Sequence, residues 1–281
     1  LSETVPIPVR TLALNQIDDN KAPPANTGLS AYMPDLIQFG LPPEDEARLV
    51  AGRAILEGYS KVLIITSADE YGQRIHKAFS ERWEELGGRT LEEIHYSPQT
   101  GDFITPVKEL LNINNSEARI NALQQRLGRN ITAATRVRQD PDFVFMVASN
   151  LNARQIVPHL RFFRAESVPV YTISHVYTGR ANLQTGRDLE GVEFVDMPWI
   201  LNPDQTYSAP GSMSFPRYYA FGVDAFSLIP RIGELFLGRD YRFPGKTGDI
   251  YITNDGIVHR LLPWARFADG EVQQINTGNI H

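Results

Sequence analysis

The most regular pattern of apolar and polar positions in this chain lies at residues 139–158. Five consecutive apolar residues, Phe143 to Val147, predict a strand buried on both faces. Ser149 and Asn150 then break the run and suit the start of a helix. A helix of about four turns is expected next. A second short apolar strand, Val168 to Ile173, follows it. Strand, helix, strand in that order is a β-α-β unit, and its crossover requires a parallel sheet with helices on the faces.

Residues 61–96 repeat the pattern. Val62 to Ile65 read as a strand ending in Thr66-Ser67. Tyr71, Ile75, Ala78, Phe79, Trp83 and Leu86 recur at helical spacing, and Gly87-Gly88 closes that helix. Leu91 to Tyr96 supply the next strand. Upstream, residues 9–14 predict a short strand ending at Asn15, residues 16–34 a loop, and Ile37 to Phe39 another strand. Pro42-Pro43-Glu44-Asp45-Glu46 opens a helix, with prolines near its first turn and acids near its positive end, and Gly58 stops it.

Phe103 to Leu111 and Ala118 to Leu127 suit helices. Thr178 to Asp188 reads as polar loop, 191–195 as a strand and 202–214 as turns. A long helix over Arg217 to Leu237 is expected to kink at Pro230. Asn254-Asp255-Gly256 signals a hairpin, and Asp269-Gly270 joins two further strands, Leu261 to Phe267 and Val272 to Ile275. The fold class is α/β, and 281 residues suffice for two lobes.

Composition narrows the function. Hydrophobic residues make 42% of the chain and charged residues 21%, which is globular, and the net charge of −6 argues against nucleic acid as a partner. With no cysteine, disulfides, thiolate metal sites and thiol nucleophiles are excluded, and an oxidising compartment is permitted. No apolar run approaches the ~20 residues of a membrane helix. The opening Leu1-Ser2-Glu3-Thr4-Val5-Pro6 lacks a signal-peptide pattern and reads as a cut within a longer protein.

Catalytic motifs are not found. The six histidines (His76, His95, His159, His175, His259 and His281) have no metal-ligand spacing. Gly245-Lys246-Thr247 lacks the glycine a phosphate loop needs at 240, where Asp240 stands, and strand and helix come in the wrong order. No metal, no cofactor and no catalytic residue are therefore expected. One constellation remains. Ligands collect at the carboxyl ends of parallel strands, and those ends carry Asn15, Thr66, Ser67, Ser149, Asn150, Ser174 and His175, with Tyr71 at the start of the helix after Ser67. The same residue types also serve as plain helix caps. A basic run, Arg119, Arg126, Arg129, Arg136 and Arg138, reads either as a solvated helix face or as a docking patch for an acidic partner.

Several short stretches, in this order, carry a resemblance. They are Leu12-Ala13-Leu14-Asn15, Phe39-Gly40-Leu41-Pro42-Pro43-Glu44-Asp45-Glu46, Gln139-Asp140 with its strand, and Ser174-His175-Val176-Tyr177. Met197-Pro198-Trp199, Tyr219-Ala220-Phe221-Gly222 and Leu262-Pro263-Trp264-Ala265-Arg266-Phe267 continue it. The chain resembles the LppC-type penicillin-binding-protein activator lipoproteins. That resemblance implies a type I periplasmic-binding-protein fold: two lobes, each a parallel sheet flanked by helices, three crossings and a cleft. Residues 1–58 would be part of an incomplete N-terminal lobe, and residues 59–200 the C-terminal lobe. Residues 201–249 would be a crossover and a long helix returning to the N-terminal lobe, and 250–281 a hairpin and terminal strands near the hinge. Tyr71-Gly72 matches the Tyr-Gly of amino-acid-binding relatives, whose tyrosine lines the cleft. The family's helical-repeat domain, lipidated cysteine and opening strands are absent from the chain.

The function implied is that of a non-enzymatic regulator on the periplasmic side of the outer membrane, lipid-anchored at full length. It would activate a class A penicillin-binding protein, a peptidoglycan synthase, by contact. The basic run and the loops at 16–34 and 178–188 would be its contacts. The alternative is a periplasmic solute-binding module for an amino acid or cell-wall fragment.

Overall fold

Strand β5 (Phe143–Val147) is buried at every position, as an uninterrupted apolar run requires. The computed structural model describes residues 11–16, 36–128, 137–180, 182–202, 215–238 and 241–275. Before β5 come β1 (Thr11–Ala13), β2 (Leu36–Phe39), α1 (Pro43–Leu56), β3 (Lys61–Ser67), α2 (Glu70–Glu85), β4 (Arg89–Tyr96), α3 (Ile104–Leu110) and α4 (Ile113–Leu127). After it come α5 (Asn150–Phe162), β6 (Val170–Thr172), α6 (Leu183–Asp188), β7 (Glu193–Val195), α7 (Pro198–Leu201), α8 (Pro216–Leu228) and α9 (Ile232–Leu237). The chain then finishes with β8 (Phe243–Pro244), β9 (Asp249–Ile252), β10 (Ile257–Leu261), β11 (Trp264–Ala268) and β12 (Glu271–Ile275). Two compact units result: Leu1–Pro42 with Met197–Pro263, and Pro43–Asp196 with Trp264–His281.

The second unit holds a seven-stranded sheet in the order β12-β11-β7-β6-β5-β3-β4. The five strands from β4 to β7 run parallel, while β11 and β12 are antiparallel additions beside β7. Phe79 of α2 stacks on Phe145 with ring centroids 3.9 Å apart. The helix ends where expected, because Gly87 adopts φ 86° and Gly88 lies against the Trp83 indole, where a Cβ would approach to 2.1 Å.

The first unit is a five-stranded sheet ordered β1-β2-β10-β9-β8. Ile37, Phe39, Ile250 and Val258 of the sheet pack with Ala225, Leu228 and Leu235 of the helices. The long helix breaks at Pro230, as expected: α8 and α9 are separated by a 3-10 turn, Ile229–Arg231. β9 and β10 form the expected hairpin.

Three expectations are corrected. Helix α1 belongs to the second unit, not to an N-terminal piece ending at residue 58. Its buried Val50, Ala51 and Ala54 allow close packing, and Arg53 Nη2 reaches Glu193 Oε2 at 3.0 Å. Strands β11 and β12, expected near a hinge, complete the second unit's sheet, so its boundaries fall at 42, 196 and 263. Residues 183–188, read as loop, form α6. Asn182 Oδ1 caps it by accepting the amides of Gln184 and Thr185, both at 3.1 Å. The loop expected at 16–34 lies outside the described residues after Gln16.

Candidate functional site

The carboxyl ends of β3, β5 and β6 bring six of the predicted residues to one edge of the second unit's sheet. Ser67 is buried at the end of β3 but caps nothing itself. Its hydroxyl donates to Asp69 Oδ1 at 2.8 Å, and Asp69 caps α2 by accepting the Gly72 amide at 2.8 Å. Gly72 is required here, since a Cβ would come 2.1 Å from the Ser67 carbonyl oxygen. Ser149 caps α5: its Oγ accepts the Asn152 amide at 3.3 Å. Asn150, the first residue of α5, donates Nδ2 to the Val176 carbonyl at 2.7 Å and ties the two loops together.

Ser174 opens a single 3-10 turn, Ser174–Val176. Its amide and hydroxyl both donate to the Glu46 carboxylate of α1, at 2.9 and 3.1 Å. His175 beside it is exposed, and its ring meets the half-buried Tyr71 ring edge-on with centroids 5.0 Å apart. Of the other two candidates, Thr66 is buried within β3 with its Oγ1 2.8 Å from His95 Nδ1, and Asn15 is exposed in the first unit.

Sequence reasoning missed the groups that hold this edge together. Glu46, Asp69 and Tyr96 are the hidden partners. Tyr96 is buried at the end of β4 and donates to the Val147 carbonyl at 3.1 Å. Burial pushes its phenol up to about 12, against hydrogen bonds with Asn152 and Ser67 that lower it, so it stays protonated and donates. Asp69 had a visible signal, an acid three residues before Gly72. Glu46 had none, because it reads as one of three acids in a first helical turn.

Chemically, the edge is a set of satisfied caps around an aromatic pair. The Ser67, Ser149 and Ser174 hydroxyls and the Asn150 amide are engaged in caps and cross-links, while Thr172 Oγ1 at the end of β6 is buried without a hydrogen-bond partner among the described residues. No group of three or more His, Cys, Asp or Glu side chains able to hold a metal ion occurs among the described residues.

The first unit has a cavity of its own, ≈ 270 Å³, lined by Trp199, Asn202, Asp224, Ser227, Phe243 and Lys246 among others. Asp224 is buried, and it accepts the Lys246 amide at 2.9 Å and the Thr247 amide and hydroxyl at 2.6 and 2.7 Å. Lys246 Nζ stands 4.3 Å from the Trp199 ring centroid. Of the basic candidates, Arg119 donates Nε to the Asn115 carbonyl at 3.1 Å and Arg126 is exposed on the last turn of α4. Arg129 and Arg136 lie outside the described residues.

Against known proteins, a family profile described as "LppC putative lipoprotein" matches residues 3–270. The penicillin-binding protein activator LpoA of Photobacterium profundum is 27% identical over 271 residues, covering 93% of this chain and 43% of that protein. The chain thus spans about two fifths of the length of the curated relatives it matches. Among solved structures, the LpoA C-domain of Haemophilus influenzae, described as a regulator of PBP1A, superposes with a TM-score of 0.68 at 23% identity. That match covers 95% of this chain and 74% of the other. A Chromobacterium violaceum protein described as a "putative branched-chain amino acid ABC transporter" gives a TM-score of 0.63 at 25% identity, covering 92% and 74%. The fold is therefore the α/β architecture of periplasmic-binding-protein-like chains, and the chain belongs to the LppC lipoprotein family.

Proposed function

We propose that this chain is the part of an activator lipoprotein that contacts a class A penicillin-binding protein and raises its peptidoglycan synthase activity, with no chemistry of its own. The observation that carries this reading is the family match running through residues 3–270. The Haemophilus influenzae relative described as a regulator of PBP1A supports it. So do the serines at the strand ends, whose hydroxyls are held in caps and cross-links rather than beside a base: Ser67 on Asp69, Ser149 on the Asn152 amide and Ser174 on Glu46. In this reading the full-length protein is lipid-anchored on the periplasmic side of the outer membrane.

The test is calorimetric titration of the chain against the soluble periplasmic part of a class A penicillin-binding protein from the same organism, with glycan polymerisation followed in parallel. Saturable binding with faster polymerisation is the expected result. Neither binding nor acceleration would sink the proposal.

A second reading, a solute-binding module for an amino acid or cell-wall fragment, is favoured by one feature. Tyr71-Gly72 opens α2 at the carboxyl end of β3, with the tyrosine ring against exposed His175. A ligand at 100 times its dissociation constant stabilises by ~2.7 kcal/mol. Thermal melts with amino acids and muropeptides should then show a shift that Tyr71→Ala and Asn150→Ala abolish. Melts unmoved by any of these compounds would exclude it.

A further inference from the structure

Helix α5 begins at the strand-end edge and carries the chain ~20 Å to the opposite end of the second unit, at 1.5 Å for each of its 13 residues. Its last residue, Phe162, is 78% exposed, the joint highest value among the large apolar side chains of the described residues. The ring is nonetheless held. It meets the half-buried Phe163 ring edge-on, with centroids 5.1 Å apart, and Lys108 Nζ lies 5.9 Å from the centre of the Phe163 ring. The helix then turns through Arg164 at φ 61°, a left-handed conformation that favours glycine, two residues after Phe162.

Helix α6 ends at the same place. Arg161 donates to the carbonyls of Arg187 and Glu190, so one arginine ties both helix ends together and complements their negative poles. Arg164 and Arg187 have no such duty. Both are exposed, and neither side chain forms an ion pair or hydrogen bond with a described residue. The nearby carboxylates are committed elsewhere: Glu117 to Lys108 at 3.1 Å, Asp188 to Arg154 at 2.7 Å, and Glu190 to the amides of Asp269 and Gly270 at 3.0 and 3.2 Å. Glu166 is the one exposed acid in the adjoining turn. At this end two exposed arginines stand near an oriented aromatic ring, with the exposed acids Asp269 and Glu271 on either side of Gly270, which the Arg187 side chain approaches.

We propose that Phe162, Arg164 and Arg187 form the docking surface for the synthase, whose matching surface is acidic and holds an apolar pocket for Phe162. The proposal rests on the activator reading above. Interface centres are enriched in aromatic residues and arginine, and a few such residues carry most of the binding energy. Two exposed arginines with no carboxylate partner among the described residues steer an acidic protein surface without first breaking an ion pair there. An anionic bilayer fits less well, because membrane-surface helices present a broad apolar face with many basic residues rather than one ring and two arginines. The surface lies at the far end of α5 from Tyr71 and His175, so a docked synthase would leave that edge uncovered.

The test is calorimetric titration of the intact chain with the soluble periplasmic part of a class A penicillin-binding protein, for wild type, Phe162→Ala, Arg164→Glu with Arg187→Glu, and Arg119→Glu with Arg126→Glu. Phosphatidylglycerol vesicles serve as a second titrant, and a thermal melt of each variant confirms folding. We expect Phe162→Ala and the Arg164/Arg187 pair each to weaken binding about tenfold or more. The α4 pair should bind as wild type does, and vesicles should bind to none. Unchanged binding by the first two variants would overturn the surface while leaving the activator reading intact. A loss confined to the α4 pair would move the contact there and overturn it equally. Phe162-dependent binding to vesicles with unchanged synthase binding would assign the patch to a bilayer. Failure of the wild type to bind the synthase would overturn both this proposal and the activator reading.

Discussion

Tyr71, in the first turn of α2, and His175, in the 3-10 turn after β6, are about a hundred residues apart in sequence and meet edge-to-face, 5.0 Å between ring centroids. The contact joins the start of α2 to the turn after β6. Such aromatic pairs contribute roughly 0.5–1.5 kcal/mol beyond their buried area. A double-mutant cycle with Tyr71→Ala and His175→Ala, read by urea unfolding, should give a coupling of about 1 kcal/mol. Strict additivity would show that the rings merely lie near each other.

The carboxylate of Glu193 joins three elements. It accepts Arg53 of α1 at 3.0 Å and Arg266 Nε of β11 at 3.0 Å, from a position 5% exposed in β7. Breaking a buried pair costs about 3–5 kcal/mol when the other charge is left uncompensated, and here Arg53 keeps Glu57, so the cost falls at the lower end of that range. Glu193→Ala should lose about that much in urea unfolding, and Arg266→Ala, which strips a half-exposed partner, much less. Equal losses would contradict this division.

Asp224 plays the corresponding part in the first unit, where it holds the turn at Lys246 and Thr247 through three hydrogen bonds. Asp224→Ala would strand those donors, and a loss of about 3 kcal/mol is expected. Gly245 is fixed by the same carboxylate, since a Cβ there would lie 2.6 Å from Asp224 Oδ2 and 2.7 Å from Ile250 Cδ1. Gly245→Ala should therefore destabilise the same unit by about 1–3 kcal/mol. A wild-type melt from either variant would refute the role.

Asp142 makes the acid limb of stability testable. Burial alone would raise its carboxyl, but hydrogen bonds from the Ser60 and Lys61 amides and the Ser60 hydroxyl outweigh that and hold it below the usual carboxylate range. A depressed folded value contributes stability above the unfolded value, about pH 4, and loses it as pH falls through the folded one. The stability gap between wild type and Asp142→Asn should be widest at pH 7 and narrow toward pH 3. A gap independent of pH would mean that the carboxyl titrates alike in both states.

Much of this architecture was legible along the chain, and the reasons are local. The five apolar residues of β5, the spacing of Ile75, Phe79 and Trp83, and Pro230 each act within a few residues of themselves, so the strand, the helix and the helix break follow from composition and period. Helix α6 was not legible for the opposite reason. Its six residues carry little apolar periodicity, and Gly186 fits only because it lies against the Gly270 carbonyl, where a Cβ would approach to 2.0 Å. That contact is made by the turn between β11 and β12, more than eighty residues later in the chain.

The candidate edge divides in the same way. Ser149, with its cap on α5, could be placed from sequence, because a cap acts on an amide three residues away. The partner of Ser174 could not, since Glu46 is 128 positions distant and looks like any acid in a first helical turn. The sequence by itself determined most of the strands and helices, α6 excepted, and the polar residues at the strand ends. Only the tertiary structure decided that α1 and the last two strands belong with β3 to β7, and that Glu46 and Glu193 are the groups they close upon. Charges separated by so many residues become partners only when burial removes the water that would otherwise solvate them.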